Sequence, residues 1–252
     1  MISLKNINFF YGNAHILKNI TFDILSAQVT AIIGTSGSGK TTLLRILAGL
    51  NEPTSGEIWI NGQNLMVLPS TDRQQIRGEM AIVFQNGALF DSLTAWENVA
   101  FPLYERYSMS LSDVREEAEK LLKMVDLNGA ADLSIERCSG GMQMRIAIAR
   151  AFACSPEIIL YDEPTSGLDP IARNLICDLI QRQQVQQKMT SVLVTHQLST
   201  AFRISNHFIF LYDGEVIFEG DSDRLMASKD SYIQRFIQQP SRAYQTIDSE
   251  RF

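Results

Sequence analysis

Gly34-Thr35-Ser36-Gly37-Ser38-Gly39-Lys40-Thr41 is a complete G-x-x-x-x-G-K-[ST] loop. Val29-Thr30-Ala31-Ile32-Ile33 before it reads as a buried strand. Thr42-Leu43-Leu44-Arg45-Ile46-Leu47-Ala48 after it has helical spacing. Glycines in such a loop let successive backbone N–H groups turn toward one anion, at the positive end of the following helix. Lys40 then reaches the β- and γ-phosphates, and the Thr41 hydroxyl is placed to bind Mg²⁺. Phosphate contacts are expected from Gly34 through Thr42. The loop predicts a site for a nucleoside triphosphate.

Composition limits what else the chain can be. Its 252 residues are 45% hydrophobic and 20% charged, ordinary values for a globular protein with a sizeable core. A net charge of −6 argues against nucleic acid as a partner, since phosphate backbones need a basic footprint. Met1 to Asn6 alternates like a strand and lacks the apolar run of a signal peptide. No window approaches the ~18 apolar residues that span a bilayer, so any membrane role is expected to come through a partner. Cys138, Cys154 and Cys177 are odd in number and lack C-x-x-C spacing, which suits a reduced, cytosolic setting.

Patterning along the chain predicts an α/β protein. Ile2, Leu4 and Ile7, then Ile20, Phe22 and Ile24, then Ile58 and Ile60 before Asn61-Gly62, alternate as in an antiparallel sheet. Runs at 80–84, 158–161 and 191–195 read as short buried strands separated by helices, hence a parallel core. The stretch from about Thr94 to Ala153 reads as mostly helical, with Ser112 and Asp113 as a helix start. Strands return at 208–211 and 215–218 around Asp213-Gly214. A helical segment at 232–237 is interrupted by Pro240, and a polar tail follows.

Two further motifs carry chemistry. Ile158-Ile159-Leu160-Tyr161 ends in Asp162-Glu163, and ligands sit at strand ends in α/β sheets. Asp162 is expected to hold Mg²⁺, and Glu163 to orient and deprotonate the attacking water. In Cys138-Ser139-Gly140-Gly141-Met142-Gln143, Ser139 is an N-cap candidate and the two glycines open a helix, making a second anion site. One nucleotide does not need two such helix starts from one chain. A head-to-tail dimer, with this segment covering the γ-phosphate held by the partner's loop, is the economical arrangement.

Together these residues resemble the ATP-binding subunits of ABC transporters, over essentially the whole chain to about Ser228. The resemblance implies a P-loop NTPase with a RecA-like parallel-sheet core, an antiparallel β subdomain and a helical subdomain inserted at about 94–153. Residues 229–252 would be a C-terminal helix and tail, either wrapped on a second copy or solvated. It implies ATP and Mg²⁺ as ligands, Tyr11 stacked on adenine, and Gln85 sensing Mg²⁺. His196 would contact the γ-phosphate and act with Glu163 and Lys40 in catalysis. Ser139, Gly140, Gly141, Met142 and Asp169, the last within Ser166-Gly167-Leu168-Asp169, would touch the nucleotide of the partner copy. Tyr11 can also be read as a sheet aromatic, Gln85 as a loop amide and His196 as a strand-end histidine. Cys138 and Met142 depart from the family's usual Leu and Gln. The cysteine, a small hydrophobe, is expected to fill the leucine's pocket incompletely.

The stretch after Gln85 contains Gly87-Ala88-Leu89-Phe90-Asp91-Ser92-Leu93 and ends Phe101-Pro102-Leu103. It is similar to that of the ATPases of maintenance-of-lipid-asymmetry (Mla) systems. By that resemblance the chain is a homodimer driving phospholipid movement through an integral membrane permease, with an MCE-domain lipid carrier and, in many systems, a small STAS-domain protein. It would lie at the cytoplasmic face of the inner membrane, peripheral through the permease. Leu89, Phe90, Trp96 and Phe101 offer apolar and aromatic anchors for docking, or else cover the helical subdomain's core. A polar amino-acid importer ATPase and a cell-division regulatory ATPase share the nucleotide motifs, but their permease-facing loops differ from 86–93. A nucleic-acid repair ATPase would carry a long insertion between Lys40 and Ser139, where residues 41–138 leave room only for a helical subdomain.

Overall fold

The alternation at the start of the chain becomes two long antiparallel strands. In the computed structural model, which describes residues 1–106 and 109–238, β1 (Ile2–Tyr11) pairs with β2 (Ala14–Ile24), Ile2 opposite Ile24 and Tyr11 opposite Ala14. β3 (Val29–Ile33) is buried at every position and runs through the glycine-rich loop into α1 (Lys40–Leu47). The chain then returns to β1 as β4 (Ser55–Ile60) and turns at Asn61-Gly62 into the short β5 (Gln63–Asn64). The result is a four-stranded sheet in the order β2-β1-β4-β5.

After α2 (Ser70–Gly78) comes β6 (Met80–Val83), then α3 (Ala95–Arg106), α4 (Leu111–Met124) and α5 (Gly140–Phe152), which pack against one another. β7 (Ile158–Asp162), α6 (Pro170–Gln187), β8 (Thr190–Thr195), α7 (Leu198–Ile204) and β9 (His207–Tyr212) follow. β10 (Glu215–Gly220), α8 (Ser222–Met226) and α9 (Ser231–Gln238) complete the described chain. The second sheet has six strands in the order β10-β9-β3-β8-β7-β6, parallel from β9 to β6, with β10 antiparallel at its edge.

Register, more than strand count, positions the site. Ile33 at the end of β3 lies opposite Thr195, and Val194 opposite Asp162. The glycine-rich loop, Asp162 and Thr195 therefore leave the sheet side by side. α1 is held beneath the loop by a core shared with both sheets. Its Leu43, Leu44, Ile46 and Leu47 are fully buried among Leu4, Ile58, Leu160 and Val192. Each such side chain contributes about 1.5–3 kcal/mol relative to exposure. The other face of the parallel sheet carries Ala31, Ile159, Tyr161 and Leu193 into a second core with Val99, Leu122, Ile148, Ile180 and Phe236.

One helix start differs from the sequence reading. Ser110, not Ser112, caps α4, its Oγ accepting from the Asp113 amide at 3.3 Å, while the Ser112 hydroxyl lies 2.8 Å from it. The two serines compete, and the cap falls where Asp113 occupies the third helical position, a favourable place for a carboxylate. α9 covers 231–238 as its periodicity predicts. Phe236 meets Phe210 edge-on at 5.0 Å, and Tyr232 lies over Tyr212 at 4.1 Å. Pro240 and the polar tail fall outside the described residues.

A methyl group added at Gly34 would lie 2.1 Å from the Leu211 carbonyl oxygen on β9, whereas one at Gly37 would meet nothing within 4 Å. Gly34→Ala should therefore cost about 3 kcal/mol, lowering the melting temperature by roughly 6–12 °C. Gly37→Ala, with φ +81°, should cost only backbone strain of about 1–2 kcal/mol. Thermal unfolding of the two variants by circular dichroism checks the ranking.

Candidate functional site

The loop after β3 closes over its own lysine. Lys40 Nζ donates to the carbonyls of Gly34 at 3.0 Å and Thr35 at 2.7 Å. Only 6% of its surface is exposed. Burial pushes its pKa down, and the nearby Glu163 and Asp162 carboxylates pull it back up. The Ser38 hydroxyl is buried in the same loop with no hydrogen-bond partner among the described residues. A buried cation and an unpartnered hydroxyl at a helix N-terminus form a ready site for a polyanion.

Asp162 ends β7 beside this loop and accepts from the Thr41 hydroxyl at 3.1 Å. Burial raises its pKa, the hydrogen bond from Thr41 lowers it, and the neighbouring Glu163 charge raises it again. The Thr41–Asp162 pair supplies hard oxygen donors of the kind Mg²⁺ takes. Among the described residues no cluster of three or more His, Cys, Asp or Glu could hold a metal, and phosphate oxygens and waters would complete the shell of a Mg²⁺ held by this pair.

Glu163 is held more tightly than any other acid of the site. Its backbone sits at φ +49°, uncommon outside glycine, with its amide bonded to the Val194 carbonyl at 2.9 Å. Its side chain is about one-tenth exposed and accepts three hydrogen bonds. They come from the Thr195 hydroxyl at 3.0 Å, the His196 amide at 2.9 Å and His196 Nδ1 at 2.7 Å. A carboxylate fixed this way can accept a proton in one defined direction. Thr195 Oγ1 also accepts from the Gln197 amide at 3.1 Å, and Gln197 Oε1 accepts from the hydroxyls of Thr165 and Thr200 at 3.2 and 3.3 Å. Glu163 is thereby connected to the segment 165–168.

These groups share one cavity of about 410 Å³, walled by Tyr11, Ile16, Ser36, Gly37, Gly39, Lys40, Thr41, Thr42, Gln85, Glu163 and His196. Tyr11 is half-exposed. Gln85 Nε2 donates to Ser166 Oγ at 3.3 Å. Every residue read from the sequence as a nucleotide contact of the same chain lies in this cavity or in the loop beside it. Thr195, Gln197 and Ile16 were not singled out. For Thr195 the signal was present, a hydroxyl at the C-terminal end of a buried parallel strand.

The second anion-binding segment faces elsewhere. Ser139 caps α5, accepting from the Met142 amide at 3.3 Å, and Gly141 packs where a Cβ would come within 2.9 Å of the Ala172 Cβ on α6. Asp169 caps α6 through the amides of Ile171 and Ala172, both at 2.9 Å. Ser139, Gly141 and Asp169 line a separate cleft of about 310 Å³ with the exposed Ile171 and Leu175. Met142 lies against the apolar core, and Gly140 opens the helix beside Leu168. Cys138 is buried and its thiol donates to the Ser134 carbonyl at 3.5 Å.

The four aromatic and apolar anchors divide. Leu89 and Trp96 pack on the helical core, Trp96 also beneath the Arg115 guanidinium at 5.0 Å. Phe90 and Phe101 are each 42% exposed and lie 4.7 Å apart. Asn98, fully buried, accepts from the Phe90 amide at 2.8 Å and donates to the Phe90 and Thr94 carbonyls at 3.1 and 3.0 Å, fixing this loop.

Thr195→Val keeps the volume and removes one hydroxyl donor to Glu163 and one acceptor from Gln197. A charge-assisted bond contributes about 1.5–3 kcal/mol, so ATP turnover at saturation should fall at least about tenfold, with KM changing less than about twofold. Steady-state kinetics decides; an unchanged kcat contradicts the positioning of Glu163 by Thr195.

A family model described as ABC transporter matches residues 17–166. The chain is 37% identical to the intermembrane phospholipid transport system ATP-binding protein MlaF of Haemophilus influenzae, over 94% of this chain and 90% of that one. It is 38% identical to protein TRIGALACTOSYLDIACYLGLYCEROL 3, chloroplastic, of Arabidopsis thaliana, over 94% of this chain and 73% of that one. Among solved structures, a dimeric ATP-binding cassette in a post-hydrolysis state with ADP and Pi aligns with TM-score 0.80 and 38% identity. That alignment spans 88% of this chain and 98% of the other. With its glycine-rich loop, strand-end acids and capped Ser-Gly-Gly helix on this fold, the chain belongs to the ABC transporter family as an ATP-binding, ATP-hydrolysing subunit.

Proposed function

We propose that the chain works as a homodimer that hydrolyses Mg·ATP at two composite sites and drives phospholipid movement through a membrane permease. One observation carries the dimer: Lys40 and Ser139 line different cavities of one chain. A second copy turned head to tail brings the Ser139 helix onto the phosphates held by the first. In that complex Gly34 to Thr42 and Lys40 hold the phosphates, Thr41, Asp162 and Gln85 serve the Mg²⁺, and Tyr11 stacks on the adenine. Glu163 takes the proton of the attacking water, held by Thr195 and His196, and His196 faces the γ-phosphate. Ser139, Gly140, Gly141, Met142 and Asp169 meet the partner's nucleotide, their donors adding to charge stabilisation as the phosphoryl group transfers.

The lipid reading rests on relatives named for intermembrane phospholipid transport and on the similar stretch at 87–93. Phe90 and Phe101 form its docking surface for the permease, backed by Asn98, Leu89 and Trp96. No helix among the described residues is long and apolar enough to cross a membrane, so transport needs an integral partner. A periplasmic MCE-domain lipid carrier and, in many such systems, a small STAS-domain protein complete the assembly, with this chain at the cytoplasmic face of the inner membrane, peripheral through the permease.

Purifying the tagged protein from detergent-solubilised membranes should recover a permease, an MCE-domain protein and bound phospholipid. Recovery of an amino-acid permease, or of a division-site membrane protein with no carrier, overturns the lipid reading and leaves the nucleotide chemistry standing. Glu163→Gln should lower turnover more than about a hundredfold while retaining an ATP-bound dimer on gel filtration. Hydrolysis at the parent rate contradicts the role of Glu163 as base.

A further inference from the structure

The hydroxyl of Tyr11 accepts a hydrogen bond from Asn51 Nδ2 at 3.0 Å, across 40 positions of sequence. The other constraint on this half-exposed ring is Phe9, a core residue that meets it at 89° with centroids 4.8 Å apart. Asn51 itself is anchored to α1. Its amide and that of Leu50 both donate to the Arg45 carbonyl, at 3.2 and 2.8 Å, and Gly49 donates to Ile46 at 3.0 Å. The N-terminus of the same helix carries Lys40, Thr41 and Thr42 in the cavity that Tyr11 walls. Eight residues at 1.5 Å each make α1 about 12 Å long.

We infer that Asn51 is a positioning residue for the nucleotide base: it locks the Tyr11 ring to the far end of the helix whose near end holds the phosphates. This deepens the reading of Tyr11 as the adenine platform and rests on it. α1 then sets the separation between base and phosphate subsites. A Tyr11 ring without Asn51 must be ordered by the base itself, and affinity falls by the cost of that ordering. The effect belongs to binding of the base alone. Phosphate affinity and saturated turnover stand apart from it.

Titration calorimetry on Asn51→Ala, Tyr11→Phe, the double variant, Asn51→Asp and Tyr11→Ala tests this, with ATP and inorganic triphosphate as probes. Losing one exposed hydrogen bond should weaken ATP about two- to fivefold in each of the first two variants. The double variant should be no weaker than the worse single, because both remove the same bond. Asn51→Asp, which accepts from the tyrosine hydroxyl, should restore affinity. Inorganic triphosphate should bind all variants alike, and kcat at saturating ATP should not move in the Asn51 variants.

Additive losses in the double variant, equal losses for triphosphate, or unchanged ATP affinity in Asn51→Ala each overturn the proposal. Tyr11→Ala separates the two levels. If it weakens ATP tenfold or more while Asn51→Ala leaves ATP affinity unchanged, the positioning role fails and the adenine platform stands. If Tyr11→Ala leaves ATP affinity unchanged, the platform reading itself fails.

Discussion

The structure is organised around one buried cation. Lys40 is almost inaccessible to water, and an ammonium group in that position is stable only if every direction it faces offers negative charge. Two loop carbonyls supply part of this, and Asp162 and Glu163 supply the rest from the end of β7, two strands across the sheet. The requirement explains the strand order. β3 and β7 flank β8 in the sheet, so the loop that bears the lysine and the strand that bears both acids end at the same edge. It also explains chemistry, because a polyphosphate added here meets a cation already stripped of water.

The second constraint, in the reaction proposed above, is that the acid taking the proton must not collapse onto that lysine. Glu163 is kept from it by three hydrogen bonds from Thr195 and His196 and by a left-handed backbone. Strain of this kind, about 1–3 kcal/mol, persists where the surroundings over-determine it. Here the surroundings continue outward. Thr195 passes the constraint to Gln197, and Gln197 to Thr165 at the head of the segment that ends in Asp169, the cap of α6. In the dimer proposed above, that segment lies against the partner. Contact with the partner and the aim of the carboxylate are then two ends of one hydrogen-bonded chain.

The sequence revealed what depends on neighbours along the chain. β-branched runs fixed the parallel strands, Ser139 before two glycines marked the α5 cap, and the glycine-rich loop named its own fold class. Where two local signals competed, as with Ser110 and Ser112, sequence reading chose the wrong one by two residues. Pairings between distant positions carry no local pattern, and they hold most of the site's precision. Thr195 meets Glu163 across 32 positions, and Asn51 meets Tyr11 across 40. Leu89, Phe90, Trp96 and Phe101 looked alike in sequence, since apolar residues serve cores and surfaces equally. Only the packing separated the half-buried pair, Leu89 and Trp96, from the exposed one.

The account's central claim is that each site is built from two copies, and mixing two inactive variants tests it directly. Lys40→Ala disables the phosphate loop, and Gly140→Asp places a negative charge at the second helix start, where a side chain meets only the tip of Leu168 at 3.4 Å. In a mixed dimer one composite site carries both lesions and the other carries none. Equal mixing should therefore restore ATP turnover toward about a quarter of the parent rate, one intact site in half of the dimers. A mixture no more active than its two components alone would show that the site is complete within one chain.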